Sequence, residues 1–130
     1  MKRRVAREKS LQALYQIDIA KSEPEEAMES VLNGAPTDEY FETLVTGIAE
    51  QREQIDGMIR ENLENWTLER LANIDRNLLR IAVYEMVYSE DVPVSVAMNE
   101  AIEIAKKFGD DQSSSFVNAV LSKIKEKIGN

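Results

Sequence analysis

Apolar residues recur at helical spacing along most of this chain, and the stretch 71–88 is apolar on nearly every side. Ile74 and Leu78 lie on one side of a helix drawn through it, while Leu79 and Val83 fill much of the opposite side. A helix of this kind is stable in water only when other helices cover it. Charged residues interrupt the stretch too often for a membrane-spanning segment. We therefore predict a buried central helix at residues 71–88.

Amphipathic patterns before and after this stretch predict the helices that cover it. The pattern after Asp38 fits either one long helix or two helices with a break near Glu50. No stretch shows the alternation of apolar and polar residues that is typical of a strand. We predict an all-α fold, a single compact domain over residues 1–130 with about six to seven helices. The covering segments are 3–20, 23–33, 38–63, 94–108 and 116–128.

Composition excludes several classes of function. The 130 residues include no Cys and no His, which removes thiol nucleophiles, disulfides, the usual metal ligands and the usual general base near neutral pH. No nucleophile motif and no phosphate-binding glycine loop is present. We expect no catalytic residue, no metal and no cofactor. No apolar run follows the basic start, so we expect a cytoplasmic protein without a membrane anchor.

Charge is distributed unevenly along the chain. The net charge is −8, yet the first nine residues hold five basic residues and one acidic residue, a net charge of +4. These cations open the first predicted helix, where the helix dipole favours acidic residues instead. Stability does not explain this placement, but attraction to an anionic partner would. A frayed basic N-terminus without a function is the alternative.

Polar and aromatic residues follow these cations on the first helix. Arginine binds phosphates through several donors, tyrosine stacks on bases, and glutamine bonds base edges, so Gln12, Tyr15 and Gln16 extend a candidate RNA surface. Trp66 is the single tryptophan. An isolated tryptophan more often fills a core than stacks on a base, so we predict a core position for Trp66.

Four segments resemble, in order, the NusB family of bacterial transcription antitermination factors. They read RRVAREKSLQALYQID at 3–18, IDRNLLRIAVYEM at 74–86, DVPVSVAMNEAIEIAKKFG at 91–109 and SSSFVNAVL at 113–121. The resemblance implies an all-helical protein that binds single-stranded boxA RNA of ribosomal RNA transcripts together with NusE, a ribosomal small-subunit protein. It further implies assembly with NusA, NusG and RNA polymerase. The Gln-Ser-Ser-Ser run at 112–115 lacks the basic residue often found there in the family, which predicts fewer phosphate contacts on that side.

The family's arginine-rich first helix matches the basic start of this chain, and its LY and FVN positions match Tyr15, Phe116 and Asn118. Phe116 fits the core equally well. The alternative function is a helical module for protein interaction or self-association, and a homodimer stays open. The predicted RNA-binding residues are Lys2, Arg3, Arg4, Arg7, Lys9, Gln12, Tyr15, Gln16, Phe116 and Asn118.

Overall fold

The computed structural model describes residues 1–129, and Asn130 of the predicted domain lies outside them. The described part of the chain contains seven α-helices, one short 3-10 turn at Leu68–Arg70, and no strand. The all-α prediction is therefore confirmed. The helices are α1 (Arg3–Ala20), α2 (Pro24–Leu32), α3 (Glu39–Glu50), α4 (Arg52–Glu61), α5 (Asn73–Tyr88), α6 (Val94–Phe108) and α7 (Ser113–Lys127).

The helix α5 lies at the centre, as predicted. Ten of its sixteen residues are buried, and it packs against α1, α3, α4, α6 and α7. Four of the buried residues are polar or charged, namely Asp75, Asn77, Arg80 and Glu85. Buried charges need partners, so α5 both fills the core and anchors ion pairs from the surrounding helices.

The structure decides one helix boundary that the sequence left open and corrects another. Residues 38–63 form two helices, because Gln51 leaves the helical conformation at φ −102° and ψ 17°. The helix α7 begins at Ser113 rather than Phe116, so the predicted polar loop is shorter than expected. The Ser113 hydroxyl is buried and accepts a hydrogen bond from the Asp110 backbone at 3.0 Å, which draws the serines into the first turn.

The helix α1 runs antiparallel to α5 and is held to it by ion pairs near both ends. Near its start, Arg7 pairs with Glu85, at the end of α5. Near its end, Asp18 accepts hydrogen bonds from Arg80 at 2.9 and 3.0 Å and from Asn77 at 3.0 Å. These pairs fix both the position and the rotation of α1, and thus decide which of its side chains face water.

Residues 1–129 contain no helix that is long and apolar enough to cross a membrane. In the same part of the chain, no three acidic side chains come close enough together to hold a metal ion.

Candidate nucleic-acid interface

Each arginine at the start of α1 meets a carboxylate from the C-terminal half of the chain. Arg3 pairs with Asp91 at 2.7 Å, and Arg4 pairs with Glu100 at 2.6 Å. The third arginine, Arg7, pairs with a carboxylate of α5. The charge of +4 read from the first nine residues is therefore largely balanced in the folded protein.

Arg7 lies inside the protein, with only 4% of its surface exposed. Its Nε donates to both carboxylate oxygens of Glu85, and its Nη1 donates to Glu100 at 3.2 Å. The Tyr40 hydroxyl donates to the same Glu85 carboxylate. Burial raises the pKa of the Tyr40 phenol, and its bond to Glu85 adds to the effect, so the phenol stays protonated. Two nitrogens of Arg7, Nε and Nη1, thus donate to carboxylates, and little of its side chain is open to a phosphate.

Arg3 and Arg4 stay exposed in spite of their ion pairs. The Arg3 guanidinium lies over the ring of Tyr40, 4.2 Å from its centroid, a cation–π contact that holds the side chain in place. The hydrogen bond from Arg3 lowers the pKa of Asp91, and the hydrogen bond from Arg4 lowers the pKa of Glu100. Both carboxylates are thus charged at neutral pH, and each reduces the field of its arginine.

Two lysines of the predicted site have no such partner. Lys2 is exposed and Lys9 is half-buried, and within residues 1–129 neither has a carboxylate within 4.0 Å. We call Lys2, Arg3, Arg4 and Lys9 the cationic tip. Its two lysines and the outer edges of its two arginines are the donors that a phosphate could reach.

Next to the cationic tip, one face of α1 packs beside α6, and ion pairs connect the two helices along this face. Arg4 contacts Glu100, and one turn later Glu8 pairs with Lys107 at 3.2 Å. This face ends at a cavity of about 370 Å³, which we call the α1–α6 groove. Tyr15, 49% exposed, is the most prominent ring there. The groove is lined by Glu8, Leu11, Gln12, Tyr15, Gln16, Asn73, Ile74 and Phe108, so it brings together three of the predicted residues.

A second cavity, of about 600 Å³, is lined by residues close in sequence to those of the groove, since Asp75 follows Ile74 and Asp110 lies two residues after Phe108. We call it the aromatic pocket, and Trp66 and Phe116 both line it. Phe116 is half-buried and Asn118 is exposed on α7. The pocket is lined by Trp66, Arg70, Leu71, Ala72, Asp75, Asp110, Gln112 and Phe116.

The predicted core position of Trp66 is wrong, because 58% of this residue is exposed. Leu68, two residues later, is the side chain of this segment that enters the core, with 1% exposed. Trp66 itself lies between α4 and the 3-10 turn, where no helix covers its ring. An aromatic face of this size open to water is available for stacking.

Asp75 gives the aromatic pocket a buried acceptor that the sequence analysis did not identify. It is 9% exposed, and its Oδ1 has no hydrogen-bond partner in the protein. Burial raises the pKa of its carboxyl above the usual value, and the charge of Asp110 adds to this effect, while the Ser113 hydroxyl acts in the opposite direction. A buried oxygen without a donor is costly, which suggests that a donor from outside completes it. In the sequence, the only indication of this acceptor was an acidic residue in the first turn of a largely apolar helix.

Comparison with known proteins identifies the family of the chain. A family model described as the NusB family matches residues 4–126. The chain belongs to the NusB family. The transcription antitermination protein NusB of Bacillus licheniformis is 57% identical over 128 residues, which cover 98% of this chain and 99% of the relative. That of Bacillus subtilis is also 57% identical over 128 residues, and covers 98% of each chain.

Solved NusB structures share the fold over nearly the full length. NusB of T. maritima matches with a TM-score of 0.89 and 36% identity, over 98% of this chain and 92% of that one. A chain from a crystal structure of the antitermination factors NusB and NusE in complex with double-stranded RNA matches with a TM-score of 0.87 and 28% identity, over 96% of each chain. Residues 4–126 include all of the groove and the pocket, and all of the cationic tip except Lys2 and Arg3.

Proposed function

We propose that this chain is a transcription antitermination factor that binds boxA RNA of ribosomal RNA transcripts together with NusE, without catalytic activity. The observation that carries the proposal is that α1 bears the exposed cations of the cationic tip and also lines the α1–α6 groove beside Tyr15. The tip offers phosphate donors, the groove offers a stacking ring, and the aromatic pocket offers two more rings and a buried acceptor. A solved complex of NusB, NusE and RNA supports the same partners.

The cationic tip supplies the phosphate contacts. Lys2 and Lys9 are unpaired within the described chain, and the exposed arginines keep donors on the edges that face away from their carboxylates. Phosphate contacts position a nucleic acid but carry no sequence information. With about three charges on a single strand, the slope of log K against log salt should be roughly −2.

The groove and the pocket supply the base contacts. Single-stranded RNA is read by stacking on aromatic rings and by hydrogen bonds to base edges. Tyr15 and Trp66 are the most exposed rings of the two cavities, and Phe116 adds an edge. A base amino group is the donor that would satisfy Asp75 Oδ1, as acidic side chains accept from base amino groups elsewhere. This end of the surface therefore carries the sequence preference.

The larger assembly rests on the family resemblance alone. We propose that NusE joins this chain on RNA in the cytoplasm, where bacterial transcripts are made. Contacts with NusA, NusG and RNA polymerase, and a homodimer, stay predictions. Arg7 is left out of the proposed contacts, since it is only 4% exposed and its Nε and Nη1 donate to Glu85 and Glu100.

A binding measurement with matched charge changes tests the phosphate end. The double variant Arg3→Ala/Arg4→Ala should lower the affinity for boxA RNA by about tenfold or more, as expected for two phosphate contacts. The control is Lys125→Ala/Lys127→Ala, which removes the same charge from the end of α7, far along the chain from the surface. Equal losses in the two double variants would contradict the assignment.

A crosslinking map tests the whole surface at once. Photocrosslinks from boxA RNA should fall on α1, on the start of α5 and on residues 66–70 and 112–116, with and without NusE. Crosslinks confined to another face would refute the proposal. If no RNA binds, but NusE binds and the arginine variants weaken it, the chain is a protein-interaction module instead.

A further inference from the structure

Glu100 holds the most exposed arginine of the cationic tip in a two-point ion pair. Arg4 donates from Nε to Oε1 at 2.6 Å and from Nη2 to Oε2 at 2.7 Å. Such side-on pairs are the strongest and most rigid that arginine makes. They use one edge of the guanidinium, so Nη1 and the second hydrogen of Nη2 remain free on the other edge.

The same carboxylate also serves a buried arginine. Glu100 Oε1 accepts from Arg7 Nη1 at 3.2 Å, and only 20% of the Glu100 side chain is exposed, against 48% for Arg4. The carboxylate is thus fixed in place and less hydrated than a free surface anion.

We propose that Glu100 is an internal counter-anion that limits the sequence-independent part of RNA affinity. The inference rests on the proposed function and deepens it. A phosphate on the free edge of Arg4 would feel the attraction of the guanidinium and the repulsion of the fixed carboxylate a few ångströms behind it. The guanidinium is well oriented, but its field is weakened.

Asp91 has the same relation to Arg3 at the second exposed arginine. Arg3 Nη2 donates to Asp91 Oδ2 at 2.7 Å, while the Tyr40 ring supports the guanidinium from one face. Both exposed arginines of the tip therefore carry an internal anion, whereas Lys2 and Lys9 do not. Of the four cations of the tip, only the two lysines attract RNA phosphates without an opposing internal anion. The contacts to the bases therefore determine which RNA stays bound.

Charge-matched substitutions test the proposal. Glu100→Gln keeps a hydrogen-bond acceptor beside Arg4 but removes the charge, and should raise the affinity for boxA RNA and for a scrambled RNA of equal length by about three- to fivefold each. Glu126→Gln is the control, because it removes the same charge from the exposed end of α7, where the carboxylate pairs with no cation of residues 1–129. Its effect should stay below about twofold.

Salt dependence separates an electrostatic role from a structural one. One additional effective cation on a single strand should steepen the slope of log K against log salt by about 0.7 in Glu100→Gln. A change in folding alone would not alter the slope. If Glu100→Gln does not fold, Asp91→Asn is the second variant, with Glu126→Gln again as its control.

A double-mutant cycle decides whether the effect acts through Arg4. The gain from Glu100→Gln should largely disappear when Arg4 is already Ala. Unchanged or lower affinity in both Glu100→Gln and Asp91→Asn, while Arg3→Ala/Arg4→Ala still weakens binding, would overturn this inference and leave the proposed function standing. If the arginine variants bind as well as the original chain, the proposed phosphate contacts fail, and the inference fails with them.

Discussion

Arg7 Nε lies 2.9 Å from Oε1 and 3.0 Å from Oε2 of Glu85, and this buried ion pair joins α1 to the end of the central helix. The exposed fractions of the two side chains are 5% and 1%. Neither charge can gain compensation from water when its partner is removed. The pair is therefore a condition for packing α1, and its loss should affect stability more than ligand binding.

We expect Arg7→Ala to lower the free energy of unfolding by about 3 kcal/mol, because it leaves the Glu85 charge buried without its partner. Arg4→Ala, at an exposed pair, should cost less than about 1 kcal/mol. Urea unfolding followed by circular dichroism measures both. A stable Arg7→Ala variant with weakened RNA binding would instead show that Arg7 contacts RNA.

Trp66 should act in binding and not in folding. Trp66→Ala should change stability by less than about 0.5 kcal/mol, since the ring is mostly exposed. It should lower RNA affinity by about tenfold or more, the usual effect of removing one stacked base contact. As Trp66 is the single tryptophan, its fluorescence should also change when RNA is added.

The matched comparison for Trp66 is Ile19→Ala near the end of α1, where an apolar side chain is also 58% exposed but lines neither the groove nor the pocket. Its RNA affinity should stay within about twofold of the original chain. Unaltered Trp66 fluorescence at saturating RNA would contradict a contact in the aromatic pocket.

The Asp75 carboxyl should make stability depend on pH. Burial raises its pKa in the folded protein above the unfolded value, so protonation favours folding, and the charged form costs stability above that pKa. Asp75→Asn should therefore be more stable than the original chain at pH 7, and this advantage should shrink as the pH falls through the raised pKa. Urea midpoints between pH 7 and pH 4 measure the difference.

Asp111→Asn is the control for this series, because Asp111 is exposed in the neighbouring loop. Its difference from the original chain should vary little across the same range. If Asp75→Asn were less stable at every pH, the carboxylate would have a stabilising partner, and its role as a free acceptor would be excluded.

Gly47 and Gly57 should respond in opposite directions to the same substitution. A Cβ at Gly47 in α3 would overlap the ring of Tyr84, so Gly47→Ala should cost about 1–2 kcal/mol. A Cβ at Gly57 in α4 meets no atom within 4 Å, so Gly57→Ala should gain about 0.5–1 kcal/mol from the lower entropy of the unfolded chain. Thermal unfolding of the two variants checks the signs, and equal shifts would contradict this account.

Periodicity predicted the fold well because local spacing carries the information that a helix needs. The stretch 71–88 is apolar all round, and the structure buries it as α5. The break at Gln51 was harder to predict, since the apolar spacing continues across it and only the packing of α3 and α4 on α5 decides it.

The basic start of α1 was evident from the sequence, but the ion pairs that its arginines make were not. Local sequence indicates a cationic start of α1, whereas Asp91 and Glu100, which balance it, come 88 and 96 residues after their arginines. Ion pairs of this sequence separation leave no periodic signal. For the same reason, the burial of Arg7 and the exposure of Trp66 could be seen only in the folded chain.

The two ion-paired ends of α1 also bear on the order in which the protein forms during synthesis. This helix is translated before α5, and Asp18 and Arg7 have their partners 62 and 78 residues later in the chain. Until that length has emerged, α1 has no charged partner on α5 to pack against. The proposed RNA surface should therefore form only after α5 has been translated.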